Sequence, residues 1–398
     1  MRSFDLVIGK SVKKAPKVDI KSPYDGKTVG QVVFGQQEDM ELAIQAACDS
    51  FPVISRMHSH ERASILRRMA QNLRVHQEEL GEIIRDEAGK PITMALREVD
   101  RAAVTFDFAA DEALRIEGSL LPMDNTTVGT GRIGLTRRFP LGPILGISPF
   151  NFPLNLVVHK VAPAIAAGNS IVLKPSPRTP MSALRLSQIA TESGLPPGVL
   201  NVVAGSSQIA EAAVAYPRLK MVTFTGSTEV GWKLKGQAGK KRVTLELGGN
   251  AGTIVEPDAD LEDACRKLAI GAFAYAGQVC ISVQRIFVHQ SIFDAFMKQF
   301  LEDIEKEIPC GDPADPKVLC GPMIDSAAAD RIEEWIAEAR SHGAKVFRKG
   351  KRQGNVIPPT VLTDADSQLI IVRNEAFGPI AIVDTYSSFD EGIKKVSR

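Results

Sequence analysis

Cys280 lies in Tyr275-Ala276-Gly277-Gln278-Val279-Cys280-Ile281-Ser282, a run of mostly small residues. It falls between a helical pattern ending at 276 and a strand-like run over 283–288. A thiol on such a turn is open to a small molecule, and its thiolate is a strong nucleophile. The plainer alternative is a buried structural thiol. Four other loops carry groups that would complete a reactive site. Ser148-Pro149-Phe150-Asn151-Phe152-Pro153 braces an amide between prolines and aromatics. Asn151 either donates to a developing oxyanion or caps a helix. In Glu246-Leu247-Gly248-Gly249, an acid at a strand end precedes two glycines, so Glu246 is a candidate general base or a structural carboxylate. Thr225-Gly226-Ser227-Thr228-Glu229 opens a helix with a glycine and a hydroxyl. Gly226 and Ser227 thus form an anion site, a capping box, or both. Lys174-Pro175-Ser176-Pro177-Arg178 offers a lysine to a nucleotide ribose or phosphate, or merely to solvent. Glu375 and Phe377, in Asn374-Glu375-Ala376-Phe377-Gly378-Pro379, put an acid and an aromatic on a rigid turn.

These loops belong to elements that can position them. Residues 1–36 alternate short apolar runs with turns, and 38–117 follow a helical period. Over 142–245 strand-like runs at 144–147, 170–173, 199–203, 221–224 and 243–245 are separated by helical stretches. Alternation of this kind predicts a parallel sheet with helices on both faces and ligands at the carboxyl ends of its strands. No GxGxxG follows the first of these strands, so the common dinucleotide fingerprint is missing. A second strand-helix series fills 252–398. Residues 118–140 alternate around glycines and read as an exposed hairpin, an edge that another chain would cover.

Composition limits the partners. The 398 residues carry a net charge of +1, with 44% hydrophobic and 24% charged residues, which argues against nucleic acid or an anionic membrane. Five cysteines without a CxxC suit neither a disulfide framework nor a zinc cluster, so no metal is expected and a reducing cytoplasm is. The first twenty residues contain no apolar core of signal-peptide length, and no stretch approaches a membrane span.

The motifs SPFNFPLN, GNSIVLKPS, FTGSTEVG, LELGGN, GQVCIS and NEAFGPI occur in that order, with Glu246 and Cys280 separated by 34 residues (280 minus 246). In this the chain resembles the NAD(P)-dependent aldehyde dehydrogenase superfamily from about residue 5 onward, and its lactaldehyde- and semialdehyde-type branch in particular. The resemblance implies an α/β fold with a Rossmann-type cofactor domain, an α/β catalytic domain and a protruding oligomerisation hairpin. It divides the chain into 1–246, with the hairpin at 118–140, and 247–398. It implies oxidation of a small aldehyde to a carboxylate. Cys280 would be the nucleophile, Asn151 and the Cys280 N–H the oxyanion hole, and Glu246 the base that activates water. Lys174 would contact the adenosine ribose, with Ser176 and Pro177 beside it. Gly226 and Ser227 would lie under the pyrophosphate, and Glu375 and Phe377 at the nicotinamide ribose.

Two departures stand out. Pro177 occupies a position where many NAD-preferring relatives hold an acid, so a 2′-phosphate is not repelled, Arg178 could help bind it, and NADP is as plausible as NAD. Relatives also run well past the equivalent of Arg398, so the catalytic domain is expected to be incomplete at its C-terminus. A homodimer or homotetramer is expected if the strand beyond is present. Two alternatives follow from these residues: a coenzyme A-acylating relative, disfavoured by Glu246, and a truncated homologue that only binds nucleotide.

Overall fold

A computed structural model of the chain describes residues 1–397. Two five-stranded sheets organise it, each covered by helices. The first runs in the order Leu200–Val202, Ile171–Lys174, Ile144–Ile147, Met221–Thr225, Arg242–Glu246, all parallel. Chain order reverses beside Ile144–Ile147, because the next strands depart from it on opposite sides. A crevice opens at such a reversal, and the loops after 147 and 225 flank it.

The second sheet runs Gly252–Val255, Arg285–His289, Ile380–Tyr386, Thr360–Thr363, Lys345–Arg348. Its first four strands are parallel and the last is antiparallel. Thr360–Thr363 and much of Ile380–Tyr386 are buried, which explains their continuous β-branched and aliphatic runs. The helices show single apolar stripes instead. In Ser59–Val75, Ala63, Leu66, Met69, Ala70 and Leu73 are buried, while Arg67 and Arg74 pair outward with Asp111 and Asp107. Leu66, Phe106, Leu173 and Val157 join one large cluster under the first sheet, and Phe273, Phe296, Phe300 and Ile380 anchor another on the second. Each such side chain contributes about 1.5–3 kcal/mol by leaving water.

The expected hairpin is present as Leu120–Pro122 paired with Ile133–Leu135, hydrogen-bonded to no other sheet. Leu120, Ile133 and Leu135 are 71%, 77% and 78% exposed. No helix among the described residues is long and apolar enough to cross a membrane.

One expectation fails at the most consequential place. The helix before Cys280 ends at Phe273 and does not continue to Ala276. Tyr275 and Ala276 adopt left-handed φ values of 54° and 53°, a conformation that costs each such residue about 1–3 kcal/mol. Tertiary bonds hold it: Tyr275 N–H donates to Leu319 O at 2.7 Å, and the Tyr275 hydroxyl donates to Ala88 O at 3.2 Å.

Candidate active site

The short α-run Asn155–Ala166 begins after a loop fixed from below. Glu98 accepts the Leu154 and Asn155 N–H groups, both at 3.0 Å, and closes a fully buried ion pair with Lys90. The Lys90 ammonium also sits 3.6 Å from the centre of the Phe152 ring and 4.7 Å from that of Tyr275. One buried cation therefore joins the Asn151 loop to the turn before Cys280. Asn151 is not a helix cap. Its Nδ2 donates to Gln278 O at 2.9 Å, two residues before Cys280, and it is 3% exposed.

Gln278 is itself a buried clamp. Its amide donates to Pro322 O and accepts from Ile324 N–H, so the backbone on which Cys280 stands is held from both sides. Cys280 follows in a turn and is exposed, unlike Cys265 and Cys320. The buried-thiol alternative is thus set aside for Cys280. It holds for Cys265, whose thiol burial pushes up to about 12.

The segment carrying Glu375 and Phe377 packs onto the same place. Gly277, at φ 66°, lets the Cys280 loop approach it, since a Cβ there would lie 2.2 Å from Gly378 O. Phe377 is left-handed at φ 47°, and its ring meets Phe150 edge-on at 5.8 Å. Gln284 pins this segment by donating to Ile371 O and Asn374 O and accepting from Ala376 N–H. Glu246 ends the last strand of the first sheet and is exposed. Two residues on, a Cβ at Gly248 would fall 1.8 Å from the Glu375 carboxylate, so only glycine admits that acid.

Facing Glu246 is Lys160, which the sequence pattern did not reveal. It is 5% exposed, donates to Thr225 Oγ1 at 2.7 Å, and burial pushes its ammonium down to about 8, an effect that the charge of Glu246 partly offsets.

A second group of atoms suits a bound dinucleotide. Lys174 is no surface lysine: it is 3% exposed, and burial alone, with no anion to offset it, pushes its ammonium down to about 8. Ser227 starts the helix Thr228–Gln237, but its hydroxyl makes no capping bond, so the capping-box alternative is not realised and the first N–H groups stay available. Glu375 Oε1 is buried without a hydrogen-bond partner among the described residues, and its desolvation raises the carboxyl above its usual value. A buried cation, free helix N–H groups and an unpartnered carboxylate oxygen match phosphate, pyrophosphate and ribose hydroxyls respectively. Ser176 accepts Arg178 N–H at 3.2 Å, and Pro177 is half-buried beside them. The Arg178 guanidinium, expected to be open to a 2′-phosphate, instead pairs with Asp325 at 2.8 Å.

A reversed parallel sheet with these groups at its strand ends is the kind of α/β fold that suits a dinucleotide. The chain matches the model of the aldehyde dehydrogenase family over residues 11–397, and it belongs to that family. It is 40% identical to 3-sulfolactaldehyde dehydrogenase of Priestia aryabhattai over 384 residues, 96% of this chain and 80% of the relative. It is 37% identical to aspartate-semialdehyde dehydrogenase 1 of Pseudomonas canavaninivorans, over 95% of this chain and 80% of the relative. Among solved structures it superposes with a TM-score of 0.94 on aldehyde dehydrogenase 21 of Physcomitrella patens, at 37% identity over 99% of this chain and 83% of that one. It superposes with a TM-score of 0.95 on an NADP-dependent glyceraldehyde-3-phosphate dehydrogenase of Bacillus halodurans, at 33% identity over 99% and 84%. The protein is an NAD(P)-dependent aldehyde dehydrogenase.

Proposed function

We propose that Cys280 carries the oxidation through a thiohemiacetal and a thioester. The Asn151–Gln278 hydrogen bond supports this reading most directly, because it brings the amide and the cysteine segment together. The Cys280 sulfur attacks the aldehyde carbon, and the carbonyl oxygen takes up negative charge. Asn151 Nδ2 has two N–H groups; one is spent on Gln278 O, and the other donates to that oxygen together with the Cys280 N–H. The dinucleotide, when bound, supplies the hydride acceptor. Collapse of the oxyanion leaves an acyl group on Cys280. Glu246, exposed at a strand end before flexible glycines, takes a proton from water, which then releases the carboxylate. The charge of Glu246 in turn partly holds up the buried Lys160 ammonium.

Lys174 and Ser176 take the adenosine side of the dinucleotide, with Pro177 leaving room for a 2′-phosphate. Gly226 and Ser227 hold the pyrophosphate, while Glu375 and Phe377 hold the nicotinamide ribose. Residues 1–246 form the cofactor-binding part and 247–398 the catalytic part. The exposed hairpin covers a second copy of the chain, and the unpaired cysteines suit a cytoplasmic enzyme. The substrate is a small aldehyde. Relatives named for sulfolactaldehyde, aspartate semialdehyde and lactaldehyde set the panel for testing it. NAD(P)H formation across that panel by wild type and Cys280→Ala is the test, and equal rates would defeat the proposal.

A further inference from the structure

A second pair of thiols lies apart from the site above. Cys310 and Cys320 face each other in an isolated parallel bridge, with Gly311 N–H donating to Cys320 O and Cys320 N–H donating to Pro309 O, both at 3.1 Å. Partners across such a bridge lie about 4.8 Å apart, inside the usual Cα separation of a disulfide of about 4.4–6.8 Å. Their side chains share one side of the bridge, because both sulfurs donate to the same acceptor, Ile357 O, at 3.8 and 3.7 Å. Cys310 is exposed and lines a cavity of about 1220 Å³ together with Tyr24, Ile304, Arg348 and Pro358. Cys320 is fully buried. One thiol is thus open to a small oxidant, and the other waits behind it as a resolving thiol.

We propose that Cys310 and Cys320 form a reversible disulfide with a hydroperoxide as oxidant, and that closing it slows the dehydrogenase. The Cys310 sulfur attacks the peroxide, the O–O bond breaks, one water leaves and Cys310 carries a sulfenic acid. The Cys320 sulfur then displaces the sulfenic hydroxyl, which departs with the Cys320 proton as a second water. Two thiols lose two electrons, and hydrogen peroxide gains them. A dithiol reductant reverses the change. The coupling runs through a single turn. Tyr275 N–H donates to the main-chain oxygen of Leu319, next to Cys320, at 2.7 Å. This bond helps hold the left-handed Tyr275–Ala276 turn that leads to Gln278 and Cys280. Closing the disulfide shifts the chain at Leu319–Cys320 and with it the carbonyl that Tyr275 N–H binds, and the strained turn relaxes.

The pair is tested independently of the chemistry at Cys280. Trypsin cleaves after Lys306, Lys317 and Arg331, so Cys310 and Cys320 fall in separate peptides, 307–317 and 318–331. Wild type and Cys310→Ser are treated with hydrogen peroxide, capped with iodoacetamide, digested and analysed by mass spectrometry. Parallel samples are assayed before and after dithiothreitol. Peroxide also attacks Cys280, but equally in both proteins, so only the excess loss in wild type belongs to the pair. We expect the two peptides joined in wild type alone, with an excess, reductant-reversible fall in turnover of about tenfold, since small displacements at a reacting centre cost that much or more. Absence of the joined peptides would overturn the disulfide. Joined peptides with no excess loss would overturn the coupling.

Discussion

Asn151 Nδ2 donates to the main-chain oxygen of Gln278 at 2.9 Å, across 127 residues of sequence. This bond leaves one amide hydrogen for an oxyanion and aims it from a loop that cannot shift without breaking the bond. Asn151→Ala should therefore lower kcat by about 10²–10³, as removal of one oxyanion donor does elsewhere. The KM for the dinucleotide should stay within about twofold, because Asn151 does not touch the proposed cofactor groups. Steady-state rates of NAD(P)H formation measure both.

Glu246 acts after hydride transfer in this account. Glu246→Gln should retain a first burst of NAD(P)H, one per active subunit, and lose steady turnover by about 10²–10⁴. Stopped-flow absorbance reads the burst directly. A variant without any burst would place Glu246 in the first step instead.

Lys160 links pH to stability. Its folded-state ammonium value of about 8 lies below the ordinary 10.5 of an exposed lysine, chiefly through burial. Between those values the unfolded chain holds a proton that the folded chain has released, so raising the pH through this window favours folding. The contribution is full above about 10.5 and is lost as the pH falls toward 8. Urea unfolding at pH 8 and pH 10 should show wild type gaining about 2 kcal/mol relative to Lys160→Met. A constant difference at the two pH values would show that Lys160 does not titrate there.

Lys90 and Glu98 neutralise each other in a fully buried pair that supports both the Asn151 loop and Tyr275. Lys90→Met strands the Glu98 charge and should cost about 3–5 kcal/mol in denaturant unfolding. Adding Glu98→Gln, which keeps an acceptor for Leu154 and Asn155 N–H, should recover part of that loss.

Pro177 stands where an acid would repel a 2′-phosphate. Pro177→Glu should shift the ratio of kcat/KM for NADP to that for NAD toward NAD by at least about tenfold, or roughly 1.4 kcal/mol. Arg178 is held by Asp325, so Arg178→Ala should change that ratio little.

The strand-end loops were legible because proline, glycine and aromatic residues interrupt otherwise apolar runs, and each interruption fell where a parallel strand delivers a ligand site. Lys160 was hidden, since its partners Thr223 and Thr225 lie more than sixty residues away and only the sheet brings them together. Gln278 and Gln284 were hidden for the same reason: amides that bind distant carbonyls leave no period in the sequence. The end of the helix at Phe273 was missed because neither Tyr275 nor Ala276 favours the left-handed region, and long-range bonds impose it. The antiparallel strand Lys345–Arg348 was not read because its charged, half-exposed alternation resembles a surface loop.

The central claim is that the acyl group rests on the sulfur of Cys280. The Glu246→Gln protein, mixed with NAD(P) and a turned-over aldehyde and then quenched in acid, should hold the acyl group. Trypsin releases residues 268–285 as one peptide in which Cys280 is the sole cysteine. The account predicts that this peptide gains the mass of the acyl group, and that hydroxylamine removes it as expected of a thioester. An adduct on any other peptide, or none while NAD(P)H has formed in a burst, would contradict it.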